Sequence, residues 1–330
     1  MSASRLPELL GIDLSEIDAV LESVVESDEE LPRPSVAYDS IIELIRAGGK
    51  RLRPIMVIVG GRFGEASLRG KVMRTAALFE YIHMASLIHD DIIDQADMRR
   101  GRPALHVKTD VRTALHVANY MMARIVEWSS MNEKREISEE DAYRCAEIAG
   151  IVTELCLGEF KQLDTKFNFS LTIEEYLDKT RRKTALLMAE CLKQGAKTAK
   201  ASDELCDRLH AVGEALGMAF QIRDDVLDFT RPASAIGKPA GADLRNGNVT
   251  LPVILALRDP SLAPLIRRLG AGSPDEEMDR AIREIAASRA IDDARELSLA
   301  YARKARETMQ PLRGHPAYRD LEILADHFLD

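Results

Sequence analysis

Asp90, Asp91 and Asp94 close a long apolar run, FEYIHMASLIHDDIID, and the basic stretch Arg99-Arg100-Gly101-Arg102 follows almost at once. If the run is a helix, positions four apart share a face, so the carboxylates of Asp90 and Asp94 stand side by side. Like charges at that spacing repel by about a few tenths of a kcal/mol, and the negative end of the helix dipole adds to the cost. A divalent cation removes both penalties. Oxygen donors without a neighbouring cysteine favour magnesium over zinc, because Mg²⁺ takes carboxylates and keeps waters and substrate phosphates in its shell.

A lone acidic cluster is more often a solvated helix end than a metal site. Here the pattern returns as Asp224-Asp225-Val226-Leu227-Asp228, again closing an apolar run, GEALGMAFQIRDDVLDF. Two Asp-Asp-x-x-Asp clusters on buried-type helices are poorly explained as solvated faces. Side by side, the two helices would put carboxylates on two walls at the mouth of a cavity with hydrocarbon below.

The elements that must position these residues read as helices throughout. Periodicity predicts helices over about 15–25 and 36–47, the second stopped by Gly48-Gly49. The following Lys50-Arg51-Leu52-Arg53-Pro54 is either a capped helix end with solvated charges or an anion site in which glycine admits a diphosphate to Lys50 and Arg53. An apolar helix over about 55–63 belongs in the core, and the long helix to Asp94 begins near Ser67. His83 and Ser86 precede Asp90 by two turns and one turn on nearly the same face. Further helices are expected over 104–132 and from Ser138 to about Leu163, the latter opened by a capping box and carrying Gly158, which would allow close helix packing. Thr172 caps a helix containing Lys183-Thr184, and Asp224 ends a helix over about 202–229. A Gly/Pro/Ala-rich loop, 231–247, holds Lys238 and Asp243 and has a lid's composition. The remainder reads as shorter helices broken at Pro260, Pro264, Gly270 to Gly272, Pro311 and Gly314. With no run of β alternation, the fold expected is all-α.

Composition bounds the rest. Hydrophobic residues make up 46% and charged residues 30%, the balance of a globular chain, and no linker marks a boundary, so one domain over 1–330 is expected. A net charge of −9 excludes a general nucleic-acid binder. The four cysteines lack CxxC spacing and read as core residues of a reducing cytosol. No leader and no run of 18 apolar residues occurs, so a cytoplasmic protein with at most peripheral membrane contact is expected.

GGKRLRP, HDDIID with MRRGRP, GEFKQLD, KTA, FQIRDDVLDF and GKPAGADLRNGNVTLP, in this order over about residues 41–257, resemble the trans-polyprenyl diphosphate synthases. IHMASLIHDD, RRKTALL and GNVTLPV are most similar to the catalytic component of the heptaprenyl-type enzymes. The resemblance implies an all-α bundle around a central cavity, usually dimeric, and a prenyltransferase that joins an allylic diphosphate (farnesyl or geranyl) to isopentenyl diphosphate. It implies about two or three Mg²⁺ ions per site, held by Asp90, Asp94, Asp224 and Asp228 with Asp91 and Asp225 in support. Lys50, Arg53, His83 and Arg100 would bind isopentenyl diphosphate. Arg99, Lys183, Thr184, Gln221 and Lys238 would hold the allylic substrate. It also allows a small second subunit as partner, without which the chain would be inactive. Two positions depart from the family pattern: Asn248, where Lys is frequent, and Asn119 in His116-Val117-Ala118-Asn119-Tyr120, where Gly-Asp-Tyr is common. A terpene cyclase would share the first cluster but not the second, and would not need GGKRLRP.

Product length depends on what blocks the cavity. Ala85 and Ser86 are small, so a bulky stop next to Asp90 is absent. Phe79, about 16 Å farther along the helix, is the next large residue on that face, and Trp128 is a second candidate floor. This disfavours C15. Products of C30–C40 are favoured, with geranylgeranyl diphosphate (C20) as the alternative.

Overall fold

The computed structural model describes residues 5–130, 139–230 and 240–329, without the side chains of 129, 130 and 139–144. The chain runs through α1 (Leu6–Leu10), α2 (Leu14–Glu26), α3 (Val36–Arg46), α4 (Leu52–Gly61) and α5 (Arg69–Ile93). A ribbon of β1 (Met98–Arg99) and β2 (Arg102–Pro103) precedes α6 (Leu105–Lys108), α7 (Val111–Ser130) and α8 (Glu139–Asp164). Then α9 (Ile173–Thr180) continues through a π turn, Arg181–Ala185, into α10 (Leu186–Thr198) and α11 (Asp203–Thr230). The last elements are α12 (Ala242–Arg245), α13 (Leu251–Ala256), α14 (Ala263–Ile266), α15 (Asp275–Ala286), α16 (Arg289–Met309) and α17 (Tyr318–Leu329). The fold is all-α, as expected.

The differences from expectation have local causes. The helix expected over 104–132 breaks after Lys108, because Asp110 accepts from the Thr113 amide (3.0 Å) and hydroxyl (2.6 Å) and so starts α7 afresh. The basic loop is a tight hairpin in which Arg99 pairs with Arg102. Its central residues, Arg100 and Gly101, have φ of 52° and 76°, the requirement of a type I′ turn. Pro264 does not break a helix but lies in the first turn of α14, where its missing amide costs nothing. Thr172 and Glu175 form a capping box at the start of α9. The box expected at Ser138 lies outside the described residues.

Two compact units divide the chain. The first comprises Met1–Val152, Glu190–His210 and Leu312–His327; the second comprises Thr153–Ala189, Ala211–Pro311 and Phe328–Asp330. Four of the boundaries fall within α8, α10, α11 and α17.

In the first unit α2, α4, α6 and α7 pack on α5. This suits a helix that is apolar nearly all round: Phe79, Ile82 and Ala85 are fully buried on it. The seam between α4 and α10 is closer than side chains allow. A Cβ at Gly195 would lie 2.0 Å from the Val57 carbonyl oxygen, and one at Gly60 would lie 2.1 Å from that of Leu192. Arg51 ties the start of α4 to its neighbours through Asp18 (2.9 Å), the Ile45 carbonyl (2.6 Å) and Glu80 (2.9 Å). Its pair with Glu80 is buried on both sides, so removing one partner would cost about 3–5 kcal/mol.

The second unit has its own core, in which α13 meets α9, α15 and α16. Here too helices approach closely: a Cβ at Gly217 would lie 2.6 Å from Ala185 Cα, and one at Gly158 would lie 3.1 Å from the Lys183 nitrogen.

Candidate active site

The last three turns of α5 and the β-ribbon bring the first group of residues together. Asp91 is buried and accepts from Arg99 Nε at 2.8 Å. Burial works against the charge of Arg99, yet Asp91, with Asp90 and Asp94 beside it, outweighs that and raises its pKa. Asp94 ends the helix with its buried Oδ1 lacking a hydrogen-bond partner. Arg53 Nε is likewise buried without one. Burial also pushes the Arg53 guanidinium down, against the opposing charges of Glu80 and Asp90.

His83 sits amid cations. Burial first, then the guanidiniums of Arg53, Arg100, Arg99 and Arg51, hold its imidazole well below the ordinary histidine range, so it is neutral at pH 7. Arg100 is depressed by burial and by the same neighbours, although Glu80 opposes them. Cations that depress one another are relieved by an anion. The glycines of GGKRLRP serve this cluster: Arg100 donates to the Gly48 carbonyl, and a Cβ at Gly49, whose φ is 146°, would lie 2.7 Å from Arg100 Cζ. Within that motif Arg51 is a scaffold residue, Arg53 joins the cluster and Lys50 is exposed.

In the second unit the end of α11 faces α9 and the π turn. Thr184 Oγ1 donates to Gln221 Oε1 (2.9 Å), Gln221 Nε2 to Asp225 Oδ1 (2.9 Å), and Tyr176 OH to Asp225 Oδ2 (2.6 Å). Burial raises Asp225 to about 6 despite these bonds. Asp243 is pushed to about 8, by burial and then by Asp225, Asp228 and Asp224. Lys179 is buried close to Asp225 and Asp243, and its ammonium is pushed down by that burial. Lys183 reaches Glu159 at 2.9 Å. Asp228 accepts the amides of Ala242 (3.2 Å) and Asp243 (3.1 Å), one on each oxygen, and so fixes the start of α12.

Sequence reasoning missed three of these residues. The buried lysine is Lys179 rather than Lys183, and Tyr176 and Lys179 share one face by their three-residue spacing, a legible signal. The depth of Asp243 had no such signal, because it depends on the turn at Gly241, whose φ is 67°. Lys238 lies outside the described residues. Asn119 Oδ1 is 3.3 Å from His89 Nε2, and Asn248 Oδ1 is buried without a partner. Phe79 lies within about 20° of Asp90 around the helix, whereas Ser86 Oγ is bonded to the His83 carbonyl (2.9 Å). Trp128 stacks obliquely on Tyr81, ring centroids 4.9 Å apart.

The donor set fits a hard cation. All candidate ligands are carboxylates, one has an orphaned buried oxygen, and their crowding adds to burial in raising Asp225 and Asp243, Asp224 acting on both and Asp225 and Asp228 on Asp243. Among the described residues no three carboxylate, His or Cys groups close on one point.

A sequence model described as Polyprenyl synthetase matches residues 34–285. Heptaprenyl diphosphate synthase component 2 of Geobacillus stearothermophilus is 38% identical, over 98% of this chain and 98% of its own. The protein of the same description from Bacillus subtilis (strain 168) is 36% identical, over 96% of this chain and 88% of its own. The crystal structure of heptaprenyl diphosphate synthase from Staphylococcus aureus superposes with a TM-score of 0.86 at 33% identity, covering 96% of each chain.

Proposed function

Because the chain belongs to the polyprenyl synthetase family and is therefore a prenyltransferase, we propose that it lengthens an allylic diphosphate with isopentenyl units to a C30–C40 product with magnesium's help. The two relatives described as heptaprenyl synthase components support a length in this range. The observation that carries the chemistry is a basic side chain at each Asp-Asp-x-x-Asp cluster, Arg99 bonded to Asp91 at the first and Lys179 buried close to Asp225 at the second. The chain acts as a single domain, four of whose unit boundaries lie inside helices.

Asp90 and Asp94 in the first unit, and Asp224 and Asp228 in the second, would hold magnesium, which would supply positive charge to a departing diphosphate. Asp91 orients Arg99, and Asp225, fixed by Tyr176 and Gln221, supports the second cluster. Arg99, Lys183, Thr184 and Gln221 hold the allylic diphosphate as its C–O bond breaks. Lys50, Arg53, His83 and Arg100 hold isopentenyl diphosphate, whose double bond attacks the allylic carbon. A proton then leaves to the released diphosphate. His83, neutral, can donate a hydrogen bond without adding charge to an already cationic cluster.

Purified protein with magnesium, farnesyl diphosphate and labelled isopentenyl diphosphate, with and without host lysate, tests this. Incorporation into a chain of C30 or longer is expected. Activity only with lysate identifies a required partner; no incorporation in either arm overturns the reading, and a product held at C20 overturns the length.

A further inference from the structure

The second unit gathers four carboxylates around one buried ammonium. Asp224, Asp225 and Asp228 all bear on Asp243, and Asp224 bears on Asp225, which is buried. The bonds that Asp225 accepts come from neutral donors, the Tyr176 phenol and the Gln221 amide. They orient the carboxylate and leave its charge unbalanced. Lys179 is the cation that attracts both Asp225 and Asp243. Lys183, one turn farther along, is bonded instead to Glu159 at 2.9 Å.

Lys179 is held here by packing rather than by a bond. It is 7% exposed, an uncommon depth for a lysine. Its ammonium lies 5.8 Å from the centroid of the Tyr176 ring, whose hydroxyl reaches Asp225 at 2.6 Å. Among the described residues it forms no ion pair. A charge placed so is felt by the whole cluster and closes on no single carboxylate. Asp224 is exposed, so a cation from solvent meets the cluster there.

A divalent cation entering this cluster gains the carboxylates and is repelled by the fixed ammonium, and in a partly dry site that repulsion is poorly screened. A diphosphate brings negative charge that offsets it. Metal and diphosphate then favour each other's binding by the same factor.

We propose that Lys179 is a positioning residue that acts as a resident counter-ion and holds divalent metal off the second cluster until a diphosphate arrives. This deepens the functional reading and rests on Asp224 and Asp228 as metal ligands. A lysine that served folding alone would leave metal affinity unchanged when replaced.

Manganese takes the same oxygen ligands as magnesium and is paramagnetic, so it reads metal binding without turnover. Free Mn²⁺ is followed by electron paramagnetic resonance as it is titrated into the full chain, alone and with farnesyl thiodiphosphate, an allylic analogue that ionises slowly. Without the analogue, Lys179→Met should bind Mn²⁺ about tenfold or more tightly than the parent. With it, the gap should narrow to about threefold or less. Lys179→Arg, which keeps the charge, should behave as the parent. Asp224→Asn in the Lys179→Met background should abolish the gain, which places the metal at this cluster. Lys179→Gln carries the same test if Lys179→Met does not fold. Equal affinity of the parent and the uncharged variants without the analogue, or a gain that survives Asp224→Asn, overturns the proposal, while binding in the presence of the analogue leaves the magnesium reading standing. No Mn²⁺ bound by any form, with the analogue or without it, overturns both.

Discussion

At the scale of single residues, the two acidic clusters differ in how their members are used. Asp91 and Asp225 are buried and spent on Arg99 and on Tyr176 with Gln221, and each oxygen of Asp228 holds a backbone amide. Asp90 and Asp224 open the two clusters as proposed magnesium ligands, so their loss should touch chemistry directly. Asp90→Ala and Asp224→Ala should each lower turnover by about 10²-fold or more while the melting temperature stays within a few degrees of the parent. Near-normal steady-state rates would remove them from the metal site. Both clusters were legible in the sequence because spacing alone puts their carboxylates on one face. Tyr176 and Lys179 were legible in principle by the same rule. Asp243 was not, since its burial beside Asp225 comes from a left-handed glycine and an amide clasp that no periodicity encodes.

Helices add constraints of their own. Those carrying the clusters followed from apolar runs and stop signals, and α5 begins within two residues of its expected start. Short-range capping was harder to weigh: the Asp110 to Thr113 cap split a segment whose periodicity ran through it. The α4 to α10 seam was hidden because glycine in a helix carries no pattern that identifies its neighbour. Gly195→Ala should destabilise the fold by about 1–3 kcal/mol or more, measured as a fall in the urea midpoint, because a backbone carbonyl rather than a flexible side chain stands in the way. A midpoint equal to the parent's would mean that α4 slides aside without penalty. On α5 itself Phe79 is fully buried, eleven positions before Asp90 on its face. Phe79→Ala should shift the product distribution to longer chains by mass analysis, and an unaltered distribution would exclude Phe79 as the ruler.

For the whole molecule, four of the boundaries between the compact units fall inside helices, and α8, α10 and α11 each carry residues of both. A helix melts cooperatively, so neither unit can unfold without fraying elements of the other. Calorimetry should show one transition whose calorimetric and van't Hoff enthalpies agree; two resolved transitions would refute a single domain. No helix among the described residues is long and apolar enough to cross a membrane. All-α architecture could be read from the absence of alternation, whereas the division into units could not, because it arises from contacts between segments distant in sequence.

The π turn at Arg181–Ala185 holds one more residue per turn than the α-helices on either side of it. It works as a rotational offset between them, and aims Tyr176 and Lys179 at Asp225 while Leu186 onward keeps its own register. Deleting one residue from this turn would straighten the rod and swing the upstream pair by about 100°. The Tyr176 phenol, now bonded to a buried carboxylate, would titrate closer to its ordinary range, a change that ultraviolet absorbance can follow.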